Sequence, residues 1–142
     1  MKKDLGVKPA SFPMPVLMIA TYDENGKVDV MNMAWGGICA ENMVALNIDE
    51  DHKTAKNIKE RMAFTLSVAD LDHLAEADFF GIATGNKMED KFERSGLHAV
   101  KSSRVDAPIV EEFGTAPLLM TGQLGVERVL GMPSGMQLPR IC

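Results

Sequence analysis

A β-rich α+β fold with short helices is what this sequence predicts, and three observations carry the prediction. The run Val16–Tyr22 is nearly continuous in apolar residues and ends in Asp23-Glu24-Asn25-Gly26, where Asn-Gly supplies the positive φ angles of a tight hairpin turn. Period-two alternation recurs at Lys27–Val30 and at Ala63–Val68. Helical spacing is confined to short stretches between such runs. The 142 residues suit one domain with a real core, and 46% hydrophobic with 25% charged is ordinary globular usage.

Taken in order, Val16–Tyr22 is the first strand, and the alternation of Lys27-Val28-Asp29-Val30 gives the second strand one wet face before it continues into Met31–Trp35. Gly36 and Gly37 then loosen or bulge it. Met43–Ile48 is a third strand. The polar break Asp49-Glu50-Asp51-His52 precedes a helical pattern with Ala55, Ile58 and Met62 on one face, which puts Lys53 and Thr54 at that helix's N-terminus. In Ala63–Val68 the side chains of Phe64, Leu66 and Val68 point one way, as in a fourth strand. Asp70 caps a second helix whose buried face is Leu71, Leu74, Ala75 and Phe79. The chain loosens from Gly81 to Asn86, and Met88–Ser95 makes a short helix stopped by Gly96. A loop leads on to Pro108.

Composition shifts at Gly114. Five of the 12 glycines and three prolines fall in Gly114–Cys142, with no aromatic residue and only Glu127, Arg128 and Arg140 charged. The segment reads as a loose appendage rather than strands.

The formal net charge of -5 argues against a nucleic-acid partner, which demands a cationic surface, so an anionic ligand must be met locally. Cys39 and Cys142 have no CxxC spacing, and His52, His73 and His98 no metal-ligand spacing, so neither a disulfide nor a metal is expected. Cys39 is expected to be buried as a small hydrophobe. Lys2 and Lys3 begin like a signal peptide, but the apolar run Val16–Ala20 is short and lies behind Pro13 and Pro15; the expectation is a reduced cytoplasmic protein with no membrane span.

Two segments suit a phosphate. A helix N-terminus offers unpaired backbone N–H groups and a partial positive charge, to which Lys53 and the Thr54 hydroxyl add donors. The same residues also read as a solvated lysine and an ordinary first-turn threonine. In Thr84-Gly85-Asn86-Lys87 glycine permits close backbone approach and Asn86 and Lys87 supply donors, with Lys91 one helical turn further on. A plain turn followed by a solvated helix explains these residues equally well. A third segment, Met31-Asn32-Met33-Ala34-Trp35, mixes a carboxamide with soft apolar side chains, and Ala34 and Gly36 leave room for a planar group against the backbone. Core filling by Met33 and Trp35 is the alternative.

The succession FPMPVLMIATYDENGKVDVMNMAWGGICAENMVALNI, DHKTAKNI and ADFFGIATGNKMEDKFERSG, with the trailing DAPIVEE, resembles the flavoredoxin group of the flavin reductase-like family from Phe12 to Phe113. The resemblance implies a β-barrel with short helices, the FMN-binding split barrel, incomplete at its C-terminal end. It divides the chain into a flavin reductase-like domain, residues 1–113, and a divergent tail, residues 114–142. It implies bound FMN, with Asn32, Met33, Ala34 and Trp35 beside the isoalloxazine, His52, Lys53 and Thr54 at the phosphate, and Gly85, Asn86 and Lys91 closing the site. It also implies a homodimer with the flavin near the subunit boundary.

The implied activity is that of an FMN-binding oxidoreductase passing electrons from NAD(P)H or a redox partner protein. No catalytic acid or base is assigned, because the flavin accepts hydride while the protein supplies position and electrostatics. No GxGxxG motif follows a strand, so NAD(P)H would stack directly on the flavin. A non-catalytic flavin-binding or truncated, inactive fragment is the alternative, and a pyridoxal-phosphate-pathway oxidase relative on the same barrel is a third reading. Beyond Phe113 the chain departs from the family pattern. The expectation is a truncated or frame-altered version with an open sheet edge and an uncovered apolar face.

Overall fold

The computed structural model describes Asp4, Gly6, residues 13–41 and 43–113, and the backbone of residues 120–123. The Lys2-Lys3 start, Cys142 and the rest of the tail from Gly114 lie outside the described residues.

The apolar run forms strand β1 (Leu17–Tyr22), which pairs antiparallel with β2 (Val28–Met33) in the register Leu17↔Met33 to Tyr22↔Val28. The hairpin stands where Asn25-Gly26 put it, but its turn is wider than a two-residue loop. Asp23 N–H donates to the Lys27 carbonyl at 2.9 Å, Gly26 N–H donates to the Asp23 carbonyl at 3.0 Å, and Gly26 takes φ +77°. Asn25 has no positive φ, so this is the longer hairpin loop in which one left-handed glycine follows the turn.

The chain leaves β2 at Ala34 and enters a separate two-stranded ribbon, β3 (Gly36–Ala40) with β4 (Met43–Leu46), whose register shifts between Ile38 and Ala40. Helix α1 (Lys53–Arg61) follows and stops at Met62, which takes the left-handed conformation and donates its N–H to the Ile58 carbonyl at 2.8 Å. Strand β5 (Ala63–Val68) pairs with β1 on one side. On its other side lies β8 (Met120–Gln123), giving a four-stranded antiparallel sheet in the order β2-β1-β5-β8. The expectation that the tail contributes no strand is overturned at these four residues. Helices α2 (Leu74–Ile82) and α3 (Lys91–Ser95) precede a last ribbon, β6 (Ala99–Lys101) with β7 (Pro108–Val110). No helix among the described residues is long and apolar enough to cross a membrane.

Both faces of the main sheet are covered, because alternate strand residues point to opposite sides. Leu17, Ile19, Met31, Met33, Phe64 and Leu66 pack with Leu46, Ala55 and Ile58 on one side. On the other, Met18, Ala20 and Val30 meet Ala77, Phe80, Phe92, Val110 and Phe113. Double coverage removes the wet face expected for the second strand, and Asp29 is 3% exposed.

Three expectations turn out otherwise. Leu71 and Leu74 are 87% and 59% exposed, and Ala77 and Phe80 form the buried face of α2 instead. The turn at residues 70–73, in which Asp70 Oδ1 accepts the His73 N–H at 3.0 Å, leaves Leu71 outside α2, and packing of Ala77 and Phe80 with Phe92 and Phe113 decides which face of the helix is buried. Cys39 is exposed, since β3 stands outside the main sheet. Met62 is also exposed, as the left-handed cap turns it off the apolar face of α1.

The turn before α2 titrates. His73 Nδ1 lies 2.9 Å from the same Asp70 Oδ1, and this hydrogen bond raises the imidazole above its usual value while it lowers the Asp70 carboxyl. A raised histidine stabilises fully below the ordinary value near 6.5 and loses that contribution as pH rises through its folded value. The Asp70→Asn variant is expected to return the His73 ring titration toward about 6.5. A ring titration by proton NMR that is unchanged in that variant refutes the pairing.

Candidate functional site

A cleft of about 610 Å³ opens where β2 ends. One wall is Met31–Met33 with Ala34 and Trp35; opposite lie the segment Asn47–Glu50, His52 and Gly81 of α2. The volume falls within the roughly 300–1,000 Å³ of small-molecule sites. Asn47 N–H donates to the Trp35 carbonyl at 2.9 Å, tying the two walls together. Asn32 Nδ2 donates to the Ala77 carbonyl at 3.1 Å, so the carboxamide is fixed with Oδ1 as its acceptor end. Trp35 is 55% exposed, whereas Met33 is buried in the core beneath. Gly81 keeps its side of the cleft low: a Cβ there would stand 3.4 Å from the Asn32 side chain.

His52 is the N-cap of α1, and its side chain makes no capping hydrogen bond. The first turn also lacks an acidic residue, so its outward N–H groups receive no carboxylate from within the helix. The acidic residues before it, Asp49 and Glu50, do line the cleft, and Glu50 is engaged by Lys59 at 3.3 Å.

Beneath the start of α1 lies a buried polar cluster. Lys53 Nζ donates to Asp23 Oδ2 at 2.9 Å, Thr54 Oγ1 donates to Asp29 Oδ2 at 2.6 Å, and Asn57 Nδ2 reaches Thr21 Oγ1 at 3.0 Å. Burial pushes the Asp23 carboxyl up, but the hydrogen bonds from Lys53 and from the Lys27 and Asn25 amides outweigh it and hold the group below its usual range. Lys91 is 5% exposed; its ammonium donates to the Phe80 carbonyl at 3.1 Å, and burial pushes its pKa down against the opposing pull of Asp29.

Five of the ten expected site residues therefore line the cleft: Asn32, Met33, Ala34, Trp35 and His52. Lys53 and Thr54 follow His52 in the chain but do not line the cleft, and their side chains are engaged by carboxylates. Gly85 packs against that cluster rather than lining the cleft, since a Cβ on it would stand 2.5 Å from Asp29 Oδ1. Asn86 Nδ2 donates to the Asp51 carbonyl at 2.7 Å and so docks its loop on the approach to α1. Lys91 is internal. The room expected at Gly36 is occupied by the Ala45 carbonyl and Met33. Sequence reasoning missed Asp23, Asp29, Asn47 and Gly81; the Asp29 signal was a carboxylate set between apolar residues in a strand.

A family model described as a flavin reductase like domain matches residues 10–116. Among solved structures, flavoredoxin of Desulfovibrio vulgaris (Miyazaki F) is 38% identical, with a TM-score of 0.74 over 79% of this chain and 62% of that one. An FMN-binding domain of a flavin reductases-like enzyme from Shewanella baltica OS155 has a TM-score of 0.72 at 18% identity, over 80% of this chain and 58% of that one. Flavoredoxin from Methanosarcina acetivorans has a TM-score of 0.69 at 18% identity, over 93% and 68%. The chain thus spans less than two thirds of the length of the first two. A comparison with curated proteins gave no match. A family model that covers most of the chain, and a flavoredoxin at more than a third identity on the same arrangement of strands, place this protein in the flavin reductase-like family, with its split-barrel fold.

Proposed function

We propose that this protein binds FMN in the cleft and acts as a flavin-dependent oxidoreductase. The observation that carries the reading is the meeting, in one cleft, of the wall Met31–Trp35 with His52, the N-cap of α1, whose side chain makes no capping hydrogen bond. The fit is supported by chemistry: Ala34 and Gly81 keep the walls low, Asn32 Oδ1 offers an acceptor, and the helix start offers donors to a phosphate.

In this reading Trp35 and Met31 shield one side of the ring from water, Asn32 orients it, and His52 and Lys53 stand at the phosphate end. Bound FMN would supply hydride acceptance and electron release. The donor is NAD(P)H or a redox partner protein, and the active form is a homodimer.

An absorbance spectrum of the purified chain with added FMN, followed anaerobically by NADH and then NADPH, tests the proposal. Flavin bands that stay with the protein through gel filtration and bleach on reductant are expected. Failure to retain FMN overturns it; retention without bleaching by either nucleotide removes NAD(P)H as donor and leaves the redox protein.

A further inference from the structure

Resting on that flavin reading, the buried cluster beneath α1 assigns a role to a residue outside the cleft. Asp29 projects from β2, is 3% exposed, and contacts two segments that approach the phosphate end from different parts of the chain. Its Oδ2 accepts the Thr54 hydroxyl at 2.6 Å and lies 3.5 Å from Asn57 Nδ2, which fixes the start of α1. Its Oδ1 lies where a Cβ on Gly85 would fall, at 2.5 Å, and the same Cβ would stand 3.0 Å from Lys53 Cδ. The backbone at Gly85 therefore packs closely against Asp29 and the Lys53 stem together.

Proton accounting decides what Thr54 does. A threonine hydroxyl has one proton, and against a carboxylate it donates that proton, leaving its oxygen as an acceptor. A phosphate presents only strong acceptors on its ionised oxygens and gains nothing from such an oxygen. The neighbouring ammonium of Lys53 is held by Asp23 at 2.9 Å, with donor capacity left over, while His52 gives the first-turn N–H groups no side-chain cap.

We infer that Asp29 is a positioning residue for flavin phosphate: it accepts the hydrogen bond of the Thr54 hydroxyl and seats the loop at Gly85, so that phosphate recognition falls to the first-turn backbone N–H groups and Lys53. The Thr54 hydroxyl is a strut in this arrangement and not a phosphate ligand.

The test compares FMN with riboflavin, which shares the ring and lacks the phosphate, by fluorescence titration, alongside the Tm of the ligand-free chain. Asp29→Ala and Thr54→Val are each expected to weaken FMN binding by about tenfold or more, as for loss of a charge-assisted hydrogen bond, and riboflavin binding by no more than about twofold. Both variants lower the ligand-free Tm, and the double variant is no worse than the more damaged single one. Asp29→Asn and Thr54→Ser, which keep an acceptor and a donor, retain FMN affinity.

A Thr54→Val variant that loses FMN affinity with an unchanged ligand-free Tm makes the hydroxyl a direct ligand and overturns the inference. Equal losses for FMN and riboflavin reduce Asp29 to general stability and overturn it as well. Should Asp29→Ala fail to fold, Thr54→Val and Asp29→Asn carry the same comparison. A wild-type chain that binds neither flavin overturns the flavin reading itself, a result distinct from wild-type binding with Asp29→Ala unaffected.

Discussion

Phe80→Ala is expected to cost about 3–5 kcal/mol, the range for emptying a large aromatic site in a core. Phe80 is 1% exposed and sits where α2, α3 and the segment after β7 converge. Its ring stacks on Phe92 at 6.2 Å between centroids with planes 10° apart, and meets Phe113 edge-on at the same distance. Lys91 Nζ lies 5.6 Å from the Phe80 centroid and donates to the Phe80 carbonyl, so one residue packs the core and covers a buried ammonium. Folded domains have only about 5–15 kcal/mol to lose, so the variant should unfold at far lower urea. A loss below about 1 kcal/mol by urea unfolding would show that the three rings do not form one unit.

The same variant has a signature in pH. Burial lowers the Lys91 pKa, so between its folded value and the ordinary value near 10.4 the unfolded chain binds more protons than the folded one. Stability gained from this group therefore rises with pH across that window, and its charged form is a cost below it. Removing the ring admits water to the ammonium, returns its titration toward the ordinary value, and flattens that slope.

Much of the scaffold was legible because local chemistry and tertiary packing agree there. Asn25-Gly26 marked the hairpin, Gly96 with φ +72° ends α3 as a left-handed cap, and Ala55 and Ile58 bury the expected face of α1. The second helix was misread because its sequence offers two apolar faces. Leu71, Leu74 and Ala75 compete with Ala77 and Phe80, and only the long-range partners Phe92 and Phe113 decide between them. Asp29 was misplaced for a similar reason. Alternation assigns a strand carboxylate to water, but a sheet covered on both faces leaves no wet side, and partners distant in sequence, Thr54 and Asn57, make burial tolerable. The wall of the cleft was visible as a segment, whereas its opposite side at Asn47 and Gly81 required the fold to bring separate elements together.

Gly36→Ala joins stability to the cleft and should cost about 1–3 kcal/mol, as overpacking in a well-filled interior does. The sequence suggests that Gly36 loosens a strand; its contacts give a stricter reason. A Cβ there would stand 2.5 Å from the Ala45 carbonyl oxygen and 2.6 Å from Met33 Cε. The methionine end can swing, although Met33 is itself buried, but the carbonyl belongs to the paired strand, where Gly36 lies opposite Leu46. Accommodating the methyl therefore means separating β3 from β4, and with them Trp35 from Asn47, whose 2.9 Å hydrogen bond ties the two walls. Gly37 provides the control on the same strand, because a Cβ there meets nothing within 4 Å. Gly37→Ala is accordingly expected to stay within about 0.5 kcal/mol of the parent by urea unfolding. FMN affinity should fall in Gly36→Ala and hold in Gly37→Ala. Equal effects at the two positions would mean that both glycines serve backbone flexibility and that the close approach of β3 to Ala45 has no part in shaping the cleft.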